Sequence, residues 1–404
     1  MANRNCQQLL LLSALMTIPA ATAFSADHYT VTDLGDLSGP ICAAVNISNS
    51  GQVVGLSTLS TGNYHAAFWD GAPIDIGTIG VDTQSSAFAV NNSGQVVGVS
   101  YNYGDLSPRA LMWQNGTLTS LGTFSPHDIN DSGVVAGHIT VFNASSIWAD
   151  HPCIWTATGL AELPTLGGYY GQAMAINSGG RVAGQAFLVD NKTVRACLWV
   201  NGTSHDLGSL AGTATAKSGA TDLNDGGQVV GWSESAGGAP HATLFQVDSN
   251  GSVTSRVDLG VLAGNDSHAY GVNNMGEVVG ASDARAFLWQ GGAMIDLNTT
   301  ISESSGWVLS KASAINDSGV IVGEGIRYGF GRAVMLTPSD CLKGDMNDDS
   351  LIDGADLAPF VRVMLDGGND REICSGDVGP ASDNLVNLSD VDAFVNCLLN
   401  GGCG

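Results

Sequence analysis

The sequence predicts an all-β protein, a seven-bladed β-propeller of four-stranded blades, followed by a small α-helical module at the C-terminus. Two observations predict this architecture. A motif with two fixed glycines recurs seven times, at intervals of about 45 residues, before residue 340. The segment after residue 340 is strongly acidic and contains no copy of the motif. We therefore predict two domains, residues 27–338 and 341–404.

Composition and charge agree with this fold class. The 404 residues include 54 glycines, and only 13% of them are charged. Helix-rich domains carry about 25% charged residues and use glycine sparingly, so the composition argues against a coiled coil or a helical bundle. The formal net charge of −24 repels phosphate backbones and anionic lipids. It argues against binding to nucleic acid or membrane surfaces and suits cations such as Ca²⁺.

The repeated motif reads hydrophobe-Asn-x-x-Gly-x-Val-Val-Gly, with Ser48 in place of Asn in the first copy. Its first glycine and the polar residues beside it can adopt the positive φ of a tight hairpin, so each copy predicts two strands joined by a turn. The seven copies are Ile47–Gly55, Val90–Gly98, Ile129–Gly137, Ile176–Gly184, Leu223–Gly231, Val272–Gly280 and Ile315–Gly323.

Two further strands complete each unit. One begins with His or Arg, as in Arg195–Trp199, and the next contains Asp-Leu-Gly, as in Asp206–Leu210. Four short strands per unit are typical of a propeller blade, and an open β-solenoid is the alternative. The strand at Tyr29–Leu37 precedes the first unit, whereas the seventh unit ends at Arg332–Pro338 without its own fourth strand. We predict that the N-terminal strand completes the seventh blade and closes the ring.

A basic residue begins the third strand of every unit, and an acidic residue usually occupies the fourth. If Asn201-Gly202 form a two-residue turn, Asp206 faces Cys197 and lies diagonal to Arg195, within reach of that side chain. The pairs either stabilise each blade or form a ring of cations at the channel mouth that captures an anionic ligand such as an acidic sugar. The basic residues are His65, Arg109, His151, Arg195, His241, Arg285 and Arg332, and the matching positions are Asp75, Ser120, Glu162, Asp206, Asp258, Asp296 and Asp33.

Aromatic residues fall into two groups. The repeated tryptophans lie inside regular strands, so packing between blades is favoured over stacking on sugars; they are Trp69, Trp113, Trp155, Trp199 and Trp289. Non-repeated aromatics on loops are better binding candidates; they are Tyr101, Tyr103, Tyr169, Tyr170 and Trp307. No catalytic motif is present, and a carboxylate pair for glycosidic cleavage cannot be chosen from sequence, so the catalytic residues are unassigned.

The N-terminus predicts export. Residues 1–23 contain Arg4, an apolar run from Leu9 to Ile18, and an Ala-Thr-Ala site, the pattern of a secretory signal peptide. The apolar run is too short for a transmembrane anchor. We expect bacterial Sec-type export to the extracellular space or cell surface, with no membrane span.

The cysteines fit an oxidising compartment. After removal of Cys6 with the signal peptide, seven remain, and an odd number leaves at least one thiol unpaired. The C-terminal four are predicted to form two disulfides, and the other three are dispersed. The C-terminal four are Cys341, Cys374, Cys397 and Cys403, and the dispersed three are Cys42, Cys153 and Cys197.

The C-terminal segment carries the most specific motif. Residues 345–356 have oxygen ligands at the spacing of a 12-residue Ca²⁺ loop, with Ser350 where an EF-hand has Gly. A second, degraded loop lies at residues 377–390, with its first ligand two residues out of register. Amphipathic helices are predicted after the loops, at Leu357–Leu365 and Val391–Leu399. The predicted ligands are Asp345, Asn347, Asp349, Leu351, Asp353 and Asp356, and then Asp377, Asp383, Leu385, Asn387 and Asp390.

Two resemblances follow from these motifs. His65-Ala66-Ala67-Phe68-Trp69 and Arg285–Trp289 resemble the extracellular HAF repeat family over about residues 30–336, a resemblance that implies no common activity. The duplicated loop–helix at Gly344–Leu399, with Asp at loop position 12, resembles a type I dockerin. That resemblance implies Ca²⁺ binding and docking to a cohesin-like protein or cell-surface scaffold, with Gly354-Ala355 and Leu388-Ser389 selecting the partner.

Two functions are therefore considered. The first is a secreted, non-catalytic binding or display protein that docks through the calcium-dependent module and has a carbohydrate ligand on its propeller. The alternative is a carbohydrate-active enzyme of polysaccharide catabolism, a lyase or a hydrolase acting on O-glycosyl bonds, with its site on one propeller face. This alternative rests on the association of dockerins with such enzymes.

Overall fold

Short antiparallel strands joined by tight turns dominate the chain. The computed structural model describes residues 29–104, 108–142, 148–302 and 305–338, together with the helical residues 357, 358, 360, 361, 391 and 393–395. The described strands belong to one compact unit, residues 28–339, and the described helical residues belong to a second unit.

Blades 1 to 4 each contain four strands that pair in chain order. Blade 1 contains β2 (Cys42–Ile47), β3 (Val53–Thr58), β4 (Tyr64–Asp70) and β5 (Ala72–Gly77); blade 2 contains β6 (Gln84–Val90), β7 (Val96–Tyr101), β8 (Arg109–Gln114) and β9 (Thr117–Gly122). Blade 3 contains β10 (Ser125–Ile129), β11 (Val135–Phe142), β12 (Trp148–Thr156) and β13 (Gly159–Glu162); blade 4 contains β14 (Gly167–Ile176), β15 (Val182–Leu188), β16 (Val194–Val200) and β17 (Thr203–Asp206).

Blades 5 to 7 continue the pattern until the last strand. Blade 5 contains β18 (Ser218–Leu223), β19 (Gln228–Glu234), β20 (Pro240–Val247) and β21 (Val253–Asp258); blade 6 contains β22 (Ser267–Val272), β23 (Val278–Ser282), β24 (Arg285–Gln290) and β25 (Ala293–Asp296), followed by a 3-10 turn at Leu297–Thr299. Blade 7 contains β26 (Trp307–Ile315), β27 (Ile321–Arg327) and β28 (Phe330–Pro338), and its fourth strand is β1 (Tyr29–Asp33).

The N-terminal strand closes the ring, as the repeat register predicts. Strand β1 runs antiparallel to β28, with Tyr29 opposite Pro338 and Asp33 opposite Val334. It ends at Asp33, four residues earlier than the sequence predicts. This pairing joins the two ends of the repeat array within one blade, so the open β-solenoid is excluded.

The hydrophobic core is divided among the blade interfaces. Seven clusters of buried side chains each combine residues of two neighbouring blades. Trp69 of blade 1, for example, packs with Val322 and Ala333 of blade 7. The predicted packing role of the repeated tryptophans is confirmed, since Trp69, Trp113 and Trp199 are buried and Trp155 and Trp289 pack against interface clusters.

The two fixed glycines of the motif are required for different reasons. The first has φ between 72° and 84° in all seven copies, as the hairpin turn requires. The second approaches the neighbouring backbone: a Cβ at Gly184 would lie 2.0 Å from the carbonyl oxygen of Gln172. This close approach coincides with a β-bulge, in which Met174 is an extra residue on the first strand.

Candidate functional site

The repeated asparagine is a structural residue that acts twice. In blade 2, the Asn91 side-chain oxygen accepts hydrogen bonds from the backbone N–H of Ser93 (3.1 Å) and of Gln95 (2.9 Å), which closes the hairpin turn. The amide group of the same side chain donates to the carbonyl oxygen of Asn130 in blade 3, at 3.1 Å. One side chain therefore stabilises its own turn and also links two blades.

This link recurs around the ring. Six side-chain amides donate to the carbonyl oxygen of the equivalent residue in the next blade, at 2.9–3.2 Å: Asn91, Asn130, Asn177, Asn224, Asn273 and Asn316. The residue that departs from the motif, Ser48, uses its short hydroxyl locally, 2.8 Å from Ser50 Oγ. We call these seven residues the asparagine ring.

The residue after each asparagine forms a second set of links. Six backbone N–H groups donate at 2.8–3.1 Å to a side-chain oxygen in the next blade: those of Asn49, Asn92, Ser178, Asp225, Asn274 and Asp317. Both sets surround a cavity that residues of all seven blades line. The residues at this end of the central channel are therefore held in place and link the blades to one another.

The other side of the channel is lined by non-repeated side chains. In every blade the first strand has a β-bulge three residues before the asparagine-ring position. The seven bulged residues line one cavity of about 220 Å³, which we call the bulge cavity. They are Val45, Phe88, His127, Met174, Thr221, Tyr270 and Ser313.

Three polar side chains from alternate blades line both cavities: Asn46, Asp128 and Asp222. The carboxylate of Asp128 accepts hydrogen bonds from the N–H of Ile129 (2.8 Å) and of Ile176 in the next blade (2.7 Å). Asp222 binds Leu223 and Val272 in the same way, both at 2.8 Å. These bonds satisfy backbone groups that the bulges leave free of the sheet.

Burial makes these two carboxyl groups unusual acids. Burial away from water raises the pKa of Asp128 to about 6, although the two hydrogen bonds that its carboxylate accepts act to lower it. Burial raises the pKa of Asp222 to about 7, and the nearby Asp128 carboxylate adds to that shift. Near neutral pH the pair can therefore retain a proton, as an acid catalyst would require.

An aromatic row, formed by Trp232, His268 and Tyr270, begins at the bulge cavity with Tyr270, which lines it. Trp232 and His268 have ring centroids 6.0 Å apart, and His268 stacks on Tyr270 at 6.4 Å with an interplanar angle of 11°. Lys311 Nζ lies 5.0 Å from the centre of the Tyr270 ring. Glycine at position 219 makes room for the indole, since a Cβ there would lie 2.7 Å from Trp232 Nε1.

A row of titratable side chains in blade 3 begins at His127, which lines the bulge cavity. His127 Nε2 lies 2.9 Å from His138 Nδ1, and His138 Nε2 lies 3.7 Å from Asp150 Oδ2. Gln172 of blade 4 donates to the same carboxylate oxygen at 2.8 Å. Burial, with a smaller contribution from His138, lowers the pKa of His127 to about 3, so its imidazole is neutral.

The cation ring that the sequence suggests is not at the channel. Five of the basic residues pair with the predicted acidic partner, as in His65–Asp75 at 2.8 Å, which confirms the stabilising role. The other four pairs are His151–Glu162, His241–Asp258, Arg285–Asp296 and Arg332–Asp33. None of the seven basic residues lines either channel cavity. The hypothesis of anion capture at the channel mouth is therefore wrong.

Two blades depart from the predicted pairing. Ser120 offers no charge in blade 2, so Arg109 binds Asp82, and this hydrogen-bonded pairing lowers the pKa of the Asp82 carboxyl. Cys197 faces Asp206, as predicted. Arg195 nevertheless does not bind Asp206: it is only 5% exposed and donates to the carbonyl oxygens of residues 213 and 214, at 2.8 and 3.1 Å.

The loop aromatics that the sequence favours do not form one site. Tyr103 is 96% exposed, whereas Trp307 is buried with Arg327 5.3 Å from its ring. Tyr170 contributes to the polar network of blade 4, where Gln185 donates to its hydroxyl at 3.2 Å.

The cysteines of the propeller are free thiols. Cys42, Cys153 and Cys197 are all buried and unpaired. Burial raises the pKa of Cys153 to about 12, with a smaller contribution from Glu162, so this thiol is unreactive. The four C-terminal cysteines lie outside the described residues.

The predicted calcium ligands, residues 345–390, also lie outside the described residues. Within the described part of the chain, no three His, Cys, Asp or Glu side chains are grouped as metal ligands. The described residues of both predicted C-terminal helices are helical. Phe360 and Phe394, one from each, are buried and stack with ring centroids 3.8 Å apart and an interplanar angle of 3°.

Comparisons with known proteins return structural similarity alone. No protein-family model and no curated protein matches the chain. Similar solved structures include the extracellular domain of BT4673 from B. thetaiotaomicron, at TM-score 0.48 and 11% identity over 79% of this chain and 41% of that one. A puromycin-hydrolyzing peptidase from Mycobacterium tuberculosis has TM-score 0.48 and 12% identity over 77% and 54% of the two chains. The WD40 β-propeller domain of Doa1 has TM-score 0.40 and 13% identity over 76% and 97%.

These similarities are low, so the propeller assignment rests on the strand pairing of the chain itself. The chain spans less than half of the first of these structures and just over half of the second. No helix within the described residues is long and apolar enough to cross a bilayer.

Sequence reasoning missed the residues that line the bulge cavity. The signal was present at two positions of the repeat: the residue three before the asparagine-ring position, and the residue after the second glycine. The first position varies from Val45 to Tyr270, and the second from Leu56 to Trp232. Positions that vary within an otherwise regular repeat are those that the fold leaves free for binding.

Proposed function

We propose that this protein is a secreted, non-catalytic binding protein whose propeller holds a carbohydrate against the aromatic row. The observation that carries the proposal is the row of Trp232 and His268 with Tyr270, of which Tyr270 lines the bulge cavity. Flat aromatic faces next to a few polar groups suit a sugar, which has an apolar face and a hydroxyl edge. Secretion follows from the signal-peptide pattern of residues 1–23.

The test is affinity for a panel of soluble polysaccharides, measured by isothermal titration. Trp232→Ala should reduce the affinity for the polysaccharide that binds by at least about tenfold, because it removes one stacking face. Trp148→Ala is the matched control, since Trp148 is 61% exposed on the β11–β12 hairpin and should leave affinity unchanged. Absence of binding across the panel, or equal binding by Trp232→Ala, would contradict the proposal.

We also propose that residues 341–404 form a dockerin-like module attached to a propeller of the HAF-repeat type. The ligand spacing of the first loop supports calcium binding. The contact between Phe360 and Phe394 supports two helices packed against each other. Such a module would dock the propeller to a cohesin-like protein or a cell-surface scaffold.

Calcium titration of the full chain tests this module. The wild type should bind Ca²⁺ saturably, and a variant with Asp345→Ala and Asp349→Ala should lose the tighter site, because each substitution removes a first-loop carboxylate. Equal heats of binding for the two proteins would place the calcium elsewhere. No saturable binding at millimolar Ca²⁺ would refute calcium binding.

A carbohydrate-active enzyme is the second candidate, and the channel carboxyl groups favour it. Asp128 and Asp222 face the same channel, and a raised pKa lets one act as a general acid while the other remains ionised. A catalytic role is opposed by the hydrogen bonds that both carboxylates already accept from backbone N–H groups of two blades. Hydrolysis of a panel polysaccharide that Asp222→Asn abolishes would replace the binding proposal with this one.

A further inference from the structure

The bulge cavity contains polar atoms that the protein itself does not satisfy. Ser313 is only 8% exposed, yet its hydroxyl has no hydrogen-bond partner among the described residues. The Tyr270 hydroxyl likewise has no protein partner in the part of the chain that the structure describes. Buried hydroxyls are normally hydrogen-bonded, so the Ser313 hydroxyl is available to a bound molecule. Tyr270 is only half-buried.

His127 adds an acceptor to the same cavity. Its Nε2 is occupied by His138, whose other nitrogen lies toward Asp150. In the tautomer that has its proton on His138 Nε2, 3.7 Å from the Asp150 carboxylate, His138 Nδ1 accepts from His127 Nε2, and a lone pair is left on His127 Nδ1. His127, Ser313 and Tyr270 line the same cavity, and their donors and acceptors suit a molecule with several hydroxyl groups.

The size and surroundings of the cavity restrict what can enter. Its volume of about 220 Å³ is below the range of roughly 300–1,000 Å³ that drug-sized ligands occupy. The layer of Asn46, Asp128 and Asp222 separates it from the second channel cavity, and the hydrogen bonds of that layer hold its side chains in place. A polymer that continued through this layer would have to displace these side chains.

We propose that the bulge cavity holds the terminal sugar of a glycan, so that the protein recognises chain ends rather than chain interiors. This inference rests on the proposed carbohydrate binding. The terminal sugar has a free hydroxyl where an internal sugar has a glycosidic bond, so a chain end suits a cavity that is too small for a longer chain. The aromatic row would then contact the sugars that follow.

The experiment uses the full chain and linear oligosaccharides of increasing length from starch, cellulose, xylan and laminarin. If the protein recognises chain ends, one propeller should bind to each oligosaccharide. The affinity for each oligosaccharide should stop rising once its sugars cover the aromatic row. Binding of several propellers to one long oligosaccharide would overturn the inference and leave carbohydrate binding intact. The same holds for an affinity per oligosaccharide that grows in proportion to its length. Failure of every probe would overturn both.

Variants locate the effect in the cavity. Ser313→Leu fills the space and should abolish binding, whereas Val308→Leu, on the same strand and 56% exposed, should not. Tyr270→Phe keeps the ring and removes only the hydroxyl, so it tests the same cavity without altering the packing. It should weaken binding up to about tenfold. Unchanged affinity of both cavity variants would overturn the inference.

Discussion

The side-chain amide of Asn224 donates a hydrogen bond to the carbonyl oxygen of Asn273, the equivalent residue of the next blade, at 2.9 Å. Its side-chain oxygen accepts from the N–H of Gln228 in its own turn, at 2.9 Å. The residue is buried, so removing the side chain leaves the Gln228 N–H without its acceptor and leaves the Asn273 carbonyl oxygen only the N–H of Gly276, at 3.1 Å. Loss of a buried hydrogen-bonding partner costs about 1–3 kcal/mol per group.

We therefore expect Asn224→Ala to lower the free energy of unfolding by about 1–3 kcal/mol, chiefly from the unsatisfied Gln228 N–H. Urea denaturation followed by tryptophan fluorescence measures the change. Asn250→Ala, in the exposed β20–β21 loop, is the control and should change stability by less than about 0.5 kcal/mol. Equal effects at the two positions would show that the asparagine ring does not link the blades.

The break in the asparagine ring predicts a stabilising substitution. Ser48→Asn would restore the motif residue and provide an amide that can donate to the carbonyl oxygen of Asn91. The gain should be about 0.5–1.5 kcal/mol, the net value of one hydrogen bond. A higher midpoint in thermal unfolding is the expected result. A lower midpoint would mean that the site cannot accommodate the longer side chain.

Two glycines of one blade should respond differently to the same change. Gly180→Ala places a Cβ in open space at φ 75°, a strain of about 1–2 kcal/mol. Gly184→Ala places its Cβ 2.0 Å from the Gln172 carbonyl oxygen, so the bulge must shift. We expect a loss of more than about 3 kcal/mol, or an insoluble protein. Similar denaturation midpoints for the two variants would contradict the close approach.

The buried carboxyl pair predicts a pH dependence of stability. The pKa values of Asp128 and Asp222 rise from 3.8 to about 6 and about 7 on folding. Between these limits the folded chain holds protons that the unfolded chain has lost, so stability falls as pH rises from about 4 to about 7 and then levels off.

The pair should contribute on the order of a few kcal/mol to this slope, at about 1.4 kcal/mol per pKa unit. Denaturation midpoints are measured at each pH for the wild type and for the double variant with Asp128→Asn and Asp222→Asn. The comparison isolates the contribution of the pair. The difference between the two proteins should change with pH over that window. A constant difference would mean that both carboxyl groups titrate normally.

The sequence predicts the parts of the fold that repeat. Seven copies of one motif determine the blade number, and the unpaired strand at Tyr29 predicts ring closure. The Asn-Gly turn even places Cys197 opposite Asp206. These features follow from local turn chemistry and strand alternation, which are readable along the chain.

The candidate site was less predictable, because it depends on a bulge. Strand alternation alone does not show that Tyr270 or Ser313 is an extra residue directed into the channel, since a bulge shifts the register by one residue. Arg195 shows the same limit: register placed it near Asp206, but two loop carbonyls compete for its guanidinium.

The aromatic row and the bulge cavity form the proposed ligand site of the propeller. Hydrogen–deuterium exchange of the full chain, with and without the polysaccharide that binds, tests it most directly. Binding at this site should slow exchange in β19, β22 and β26, with no change in the outer strands β5 and β9. Protection confined to outer strands, with these three strands unchanged, would contradict it.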